Sequence, residues 1–488
     1  MTLAVAQSTS GSGSGTGLQS SKSLSSTPTA GNLLIAFIGT GNGTSPATLT
    51  FDTTKWTPFE RAIDPNDTNM VITALFRYVQ GGDTTAMPAF CTAGSTFFSY
   101  TVQEISGVNG TWANDYQSSR YIQKTGATSL TTPTDVAMSN NAFGILGFFK
   151  YNRSANSGLD AGWTSDQNTN NSGNYGSFGC AHKAIASSGT TVNATNTFQA
   201  GSDTCGMIQV ILNGAGAAPT HPYVVRYRYK DSGSAGHPGT VQFGGAPLSG
   251  HSLVTFLMWQ DGSQADPTIG GSWSQWESVT QGSNHQMFGL ARDVSGDTDV
   301  LAAITTAGTA FWALYTIEVG GMTGVFATDK LADTKGAESS ASSVTTTGGT
   351  TSGANQIILT AFAEYNTSTL LTVTGIDYQV GAEIANSTDY GAADVGFTSK
   401  ASGGSSYSST WTKASTSLKT AYIELRMGAG SSTETGTGVM AFSGIAINAA
   451  AAGAHSGSAG MAFGGLKIVS AGQRTQHPPV VNIVVVGK

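Results

Sequence analysis

Charge is scarce in this chain. Of its 488 residues only 10% are Asp, Glu, Lys or Arg, against about a quarter in an ordinary soluble domain. Ser, Thr, Asn and Gly must therefore cover much of the surface. Positive charge is the scarcer sign: the formal net charge is −7 and the pI about 5.4. No basic field exists to attract phosphate backbones, which excludes a nucleic-acid partner. The three cysteines, Cys91, Cys180 and Cys205, supply neither a disulfide framework nor metal-ligand spacing. No apolar run reaches the roughly 18 residues of a spanning helix, so no membrane span is expected. The opening Met1–Ser8 has no cationic flank and too short an apolar run for a secretory signal, which leads to an expectation of synthesis in the cytosol.

Catalytic signatures are absent too. There is no H-E-x-x-H, C-x-x-C, P-loop, complete dinucleotide fingerprint or G-x-S-x-G elbow. The seven histidines never fall at metal-ligand spacing. We therefore expect no enzyme activity, no cofactor and no bound metal.

What the chain does have is 64 glycines, 39% apolar residues and an internal duplication. Gly31-Asn-Leu-Leu-Ile-Ala-Phe-Ile38 answers Gly250-His-Ser-Leu-Val-Thr-Phe-Leu257. Trp56-Thr-Pro-Phe-Glu60 answers Trp273-Ser-Gln-Trp-Glu277. Arg77-Tyr-Val79 with Gly82-Asp83-Thr84 answers Arg292-Asp-Val294 with Gly296-Asp297-Thr298. The runs Phe97–Gly107 and Phe311–Gly321 correspond, as do Asn141–Asn152 and Asn355–Asn366, and Ile208/Val210/Leu212 with Ile423/Leu425/Met427. One order and one offset across six blocks indicate two copies of one domain. The boundaries follow: copy one over 1–216, copy two over 217–430, and a C-terminal section over 431–488.

The matched blocks are short apolar runs bounded by Gly and Asn, as strands buried on both faces would be. Gln209 and Glu424, each between two aliphatics, read as the outward residues of half-buried strands. No window shows helical periodicity beyond two turns. The expected fold is all-β: two tandem jelly-roll-like β-sandwiches and a short Gly/Ala-rich β-repeat section at the C-terminus. In that section Met440-Ala-Phe-Ser-Gly-Ile-Ala-Ile447 recurs as Met461-Ala-Phe-Gly-Gly-Leu-Lys-Ile468, and Val480–Val486 is strongly β-prone. Repeats this short cannot enclose a core alone. They are expected to join three copies of the chain, the alternative being that Val480–Val486 folds back onto copy two.

Few residues invite chemistry. Glu104 and Glu318 occupy the same place in apolar strands of the two copies. Each could be a general acid raised in pKa by its surroundings. The plainer expectation is that each faces solvent or pairs with the corresponding Arg77 or Arg292. Trp56 with Phe59, and Trp273 with Trp276, could stack on sugar rings if exposed, or fill the core. Asp64-Pro-Asn-Asp-Thr-Asn69 carries oxygen ligands close together, though an Asx-rich turn accounts for it.

The string Gly31-Asn-Leu-Leu-Ile-Ala-Phe37, followed by Lys55-Trp-Thr57, Phe59-Glu-Arg61 and Ala74-Leu-Phe-Arg-Tyr78, resembles a domain of tailed-bacteriophage minor tail and fibre proteins. The Met-Ala-Phe repeats resemble repeats of such virion proteins. In that family a Gly-Trp-Thr segment follows the opening strand; copy two departs from the pattern, with Ser272-Trp-Ser274 there and Asp293 in place of Tyr78. The resemblance implies a virion structural protein, a minor tail or fibre subunit at the host surface. Its implied partners are other virion proteins, copies of itself as a trimer, and a host envelope glycan. A capsid decoration or head-fibre protein, and a stand-alone carbohydrate-binding lectin, are the alternatives.

Overall fold

The computed structural model describes residues 2–13, 23–41, 50–64, 67–88, 91–93, 97–151, 156–170, 176–214, 219, 221–231, 240–260, 272–281, 285–298, 301, 304, 311–338, 341–364, 372–379, 384–386, 391–412, 419–428, 436–442, 445–451, 459–463, 466–470 and 483–486. They form two compact units, Met1–Ala429 and Gly430–Lys488. Among the described residues helix is confined to two single turns, α1 (Trp112–Asp115) and α2 (Phe326–Asp329), and the sheets are antiparallel. No helix among them is long and apolar enough to cross a membrane.

The first unit is built on four large sheets. Sheet one holds β1 (Ala4–Gly13), β2 (Leu33–Gly41), β3 (Thr57–Asp64), β4 (Asp67–Tyr78) and β5 (Phe97–Ser106), in the order β1-β5-β2-β4-β3. Sheet two holds β6 (Tyr116–Thr125), β7 (Ala142–Lys150), β8 (Thr164–Asn170), β9 (Ser177–Ile185) and β10 (Thr204–Leu212), in the order β6-β10-β7-β9-β8. Sheet three holds β11 (Tyr223–Asp231), β12 (Ser252–Gln260), β13 (Ser274–Gln281), β14 (His285–Asp293) and β15 (Phe311–Gly320), in the order β11-β15-β12-β14-β13. Sheet four holds β16 (Lys330–Glu338), β17 (Gln356–Glu364), β18 (Tyr378–Gln379), β19 (Gly391–Lys400) and β20 (Thr420–Gly428), in the order β16-β20-β17-β19-β18, with Ile384–Asn386 also pairing β19.

Every sheet thus runs first, fifth, second, fourth, third. Sheets one and three carry the same register, with Leu34 opposite Glu104 and Leu253 opposite Glu318. Phe37 and Phe256 are equivalent and both buried in the central core. The order also repeats within a copy, a level of repetition that the sequence does not display. The turn into the second strand of each sheet places one residue in the left-handed region: Gly31 (φ 89°), Asn141 (55°), Gly250 (84°) and Asn355 (55°). Gly and Asn are the residues that tolerate this backbone most readily.

Packing explains the continuous apolar runs. In β2, Leu33, Ile35 and Phe37 join the central core, whereas Leu34, Ala36 and Ile38 join a second cluster with Trp56, Leu75 and Tyr100. In β12, Val254, Phe256 and Met258 point one way and Leu253, Leu257 and Trp259 the other. Both faces are covered, so both phases of the alternation are apolar. Sheets one and two approach closely. A Cβ at Gly147 would lie 2.2 Å from the Phe37 ring, and one at Gly39 would lie 2.5 Å from the Phe149 ring. Each ring is seated over a glycine of the facing sheet.

The double coverage corrects the half-buried reading of Gln209 and Glu424, which are both buried. Gln209 accepts from the Thr132 hydroxyl at 2.8 Å and donates to the Val192 carbonyl at 3.2 Å. Burial pushes the Glu424 carboxyl above its ordinary pKa, because the hydroxyls of Thr346, Thr334 and Thr360 compensate it only in part.

The second unit pairs β21 (Gly436–Phe442) with β22 (Ile445–Ala451), and β23 (Ala459–Phe463) with β24 (Leu466–Ser470) and β25 (Ile483–Val486). The two repeats take the same hairpin register: Met440 opposite Ile447 and Met461 opposite Ile468, Phe442 opposite Ile445 and Phe463 opposite Leu466. The described part of Val480–Val486 pairs with β24 inside this unit.

Candidate functional site

The four aromatics considered for sugar stacking point inward. Trp56, Phe59 and Trp273 are buried, and the Trp56 indole donates to the Pro88 carbonyl at 3.2 Å. Trp276 is half-buried against the rings of Phe256 and Phe326, each with its centroid 6.0 Å away. These side chains fill the sandwiches. Of the run Asp64–Asn69, Asp64 ends β3 and Asp67 to Asn69 open β4, while Pro65 and Asn66 lie outside the described residues. Among the described residues no group of three or more His, Cys, Asp or Glu is placed to hold a metal.

Glu104 and Glu318 neither face solvent nor meet Arg77 and Arg292. Both are buried and saturated with donors from their own copy. Glu104 accepts from Gln7 Nε2 (2.6 Å), the Thr29 amide (2.8 Å) and Asn32 Nδ2 (2.6 Å). Glu318 accepts at the same three places from Arg226 Nε (2.6 Å) and the Leu248 amide (2.8 Å), and bonds His251 Nδ1 (2.7 Å). Each carboxylate ties the loop before the second strand to the first and fifth strands. Burial alone would raise the Glu318 pKa; Arg226, His251 and the Leu248 amide outweigh it and hold the carboxyl at about 2. Arg77 and Arg292 instead pair with Asp83 and Asp297, the acidic residues of the matching Gly-Asp-Thr turns.

The copies are joined by a buried ionic seam. Arg228 on β11 of copy two pairs with Glu60 on β3 of copy one, both side chains nearly excluded from solvent (5% and 0% exposed). Its guanidinium lies 4.3 Å from the Tyr121 ring centroid and donates to the carbonyls of Arg61 and Phe243. Arg226 donates to the Phe59 carbonyl, and Arg120 of copy one returns donors to the carbonyls of Val224 and Val225 at 3.0 Å. Glu60 also accepts from the Ser119 hydroxyl. The equivalents of these residues elsewhere differ. Register sets Gln7 and Thr9 on β1 where β11 has Arg226 and Arg228. At the matching place in copy two, Glu277 is met by its own copy's Lys335 at 2.8 Å.

One place on the repeated scaffold is built differently in the two copies. In copy one Phe76 stacks on Trp112 (centroids 3.8 Å, 7° between planes), and Trp112 stacks on Tyr116 (4.7 Å, 12°). Tyr78 completes the wall, its hydroxyl donating to Asp115 at 2.6 Å. Burial, and then the Asp115 carboxylate, push that hydroxyl far above the ordinary tyrosine range, so it stays a donor. In copy two strand register puts Ala291 for Phe76 and Asp293 for Tyr78, while Phe326 and Lys330 open α2 and β16 where Trp112 and Tyr116 stood. A groove of about 380 Å³ lies beside these residues. Ala291 and Phe326 form its apolar part; Arg292, Asp293, Ser274 and Ser295 line the rest. Asp293 Oδ1 accepts from the Phe326 amide at 2.7 Å. The replacement of Tyr by Asp293 is visible in the sequence, but its meaning depends on four positions from three chain segments meeting at one place.

No family model matches this chain, and no curated protein matches it. Among solved structures it is similar to one described as "The Triple Jelly Roll Fold and Turret Assembly in an Archaeal Virus", at 8% identity, over 65% of this chain and 90% of that chain. The TM-score of 0.14 leaves that similarity without weight for fold or function.

Proposed function

We propose that this chain is a bacteriophage virion structural protein, a minor tail or fibre subunit that works at attachment to the host surface by binding and assembly rather than by catalysis. The observation that carries the reading is the construction of the first unit. One five-strand sheet is used four times, and the two copies are locked by a buried ion pair and reciprocal backbone contacts. Such a unit holds surfaces in fixed relation, which suits a particle component. The tail-protein resemblance of Gly31–Phe37, Lys55–Arg61 and Ala74–Tyr78 supports the same reading. Immunogold electron microscopy of intact virions tests it: label at the tail or tail tip is expected, and particles without label refute it.

Assembly is assigned to the second unit. Its hairpins align Met, Phe, Leu and Ile in cross-strand pairs, and isolated two- and three-stranded sheets are marginal in water. Pairing them with the same segment of two further copies would extend these small sheets. Deleting 431–488 should convert a trimer to a monomer by light scattering; an unchanged mass refutes the assignment.

A further inference from the structure

We propose that the open groove of copy two binds a neutral, hydroxyl-rich ligand, a sugar residue of a glycan. This rests on the host-attachment reading above and gives it a site and a ligand class. The two copies act as an internal control. The scaffold, strand order and register are the same, yet where copy one sets Phe76, Tyr78 and Trp112, copy two sets Ala291, Asp293 and Phe326 beside a groove.

The chemistry of the lining selects the ligand. The exposed Ala327 methyl and the rim of the largely buried Phe326 ring offer a small apolar surface for the C–H face of a pyranose. Around it, the hydroxyls of Ser272, Ser274 and Ser295 can both donate and accept. Asp293 is exposed, and one of its oxygens is held by the Phe326 amide. That bond fixes the carboxylate and turns its other oxygen into an acceptor for a sugar hydroxyl. Among the described lining residues the one cation, Arg292, already pairs with Asp297. The groove therefore presents no unneutralised positive charge, and the Asp293 carboxylate disfavours acidic sugars, sulfates and phosphates.

The test uses full-length protein on immobilised neutral oligosaccharides bearing glucose, galactose, mannose, rhamnose or N-acetylglucosamine, beside uronate-bearing and sulfated ones. Retention on at least one neutral glycan is expected. D293Y, which puts copy one's own residue on the exposed wall of the groove, should weaken it at least tenfold, with the melting curve as the check on folding. D293A, at the same exposed position, should weaken it as well and serves if D293Y misfolds. Binding only to acidic glycans, binding to none, or undiminished binding by D293Y would each overturn the proposal. Its failure is distinguishable from failure of the attachment reading: label on the virion with no glycan binding sinks the groove alone, while absence from the virion sinks the reading whatever the groove binds.

Discussion

Removing the Arg228 guanidinium should uncouple the two copies. In R228A, Glu60 keeps its buried carboxylate but loses its countercharge, and the carbonyls of Arg61 and Phe243 each lose a donor. Breaking a buried ion pair from one side typically costs about 3–5 kcal/mol, because the remaining charge stays desolvated. That corresponds to roughly two to nearly four orders of magnitude in the folding equilibrium. Most of the cost falls on contacts between copies. Urea unfolding followed by tryptophan fluorescence should therefore change shape: one cooperative transition in the parent, and two, at different midpoints, in R228A. The double variant R228M/E60L removes the charges together and should recover about half of the loss or more, short of the parent because backbone carbonyls stay unpaired. A single transition at the parental midpoint in R228A would refute the idea that this seam holds the copies together.

Two buried carboxyls should give opposite pH dependences. The Glu318 pKa lies at about 2, below the ordinary value of 4.5, so its stabilisation is complete above pH 4.5 and is lost as pH falls toward 2. It amounts to roughly 3 kcal/mol; acid titration of E318Q should lack this step. The Glu424 pKa is raised, so its contribution is complete below 4.5 and is lost as pH rises through the folded value. E424Q should therefore melt higher than the parent at pH 7 and no higher at pH 4, and a lower melting point at pH 7 would count against the reasoning. Gly147→Ala would press a methyl into the Phe37 ring at a cost of about 1–3 kcal/mol by overpacking. F37L in the same chain should relieve part of it, and additive losses in thermal melts would rule out the contact.

Several features were legible in the sequence because they depend on near neighbours. The duplication shows in runs such as Gly31–Ile38 and Gly250–Leu257, where apolar phase, turn residue and offset recur together. The all-β class follows from short apolar runs between turn formers, and the Met440 and Met461 repeats do form matching hairpins. Tertiary structure decided the rest. The second level of repetition, one sheet order used twice within each copy, leaves little trace in sequence, because Gly31 and Asn141 share a backbone conformation rather than a residue type. Gln209 and Glu424 looked outward because alternation cannot reveal that loops cover the far face of a sheet. Glu104 and Glu318 were recognised as equivalent, yet their partners come from Gln7, Thr29 and Asn32, or Arg226, Leu248 and His251, segments 67 to 97 residues away in sequence. The groove depends most on folding. Ser274 and Asp293 border a groove only because the fold brings α2 to the same spot, and a gap between distant segments has no local signature in the chain.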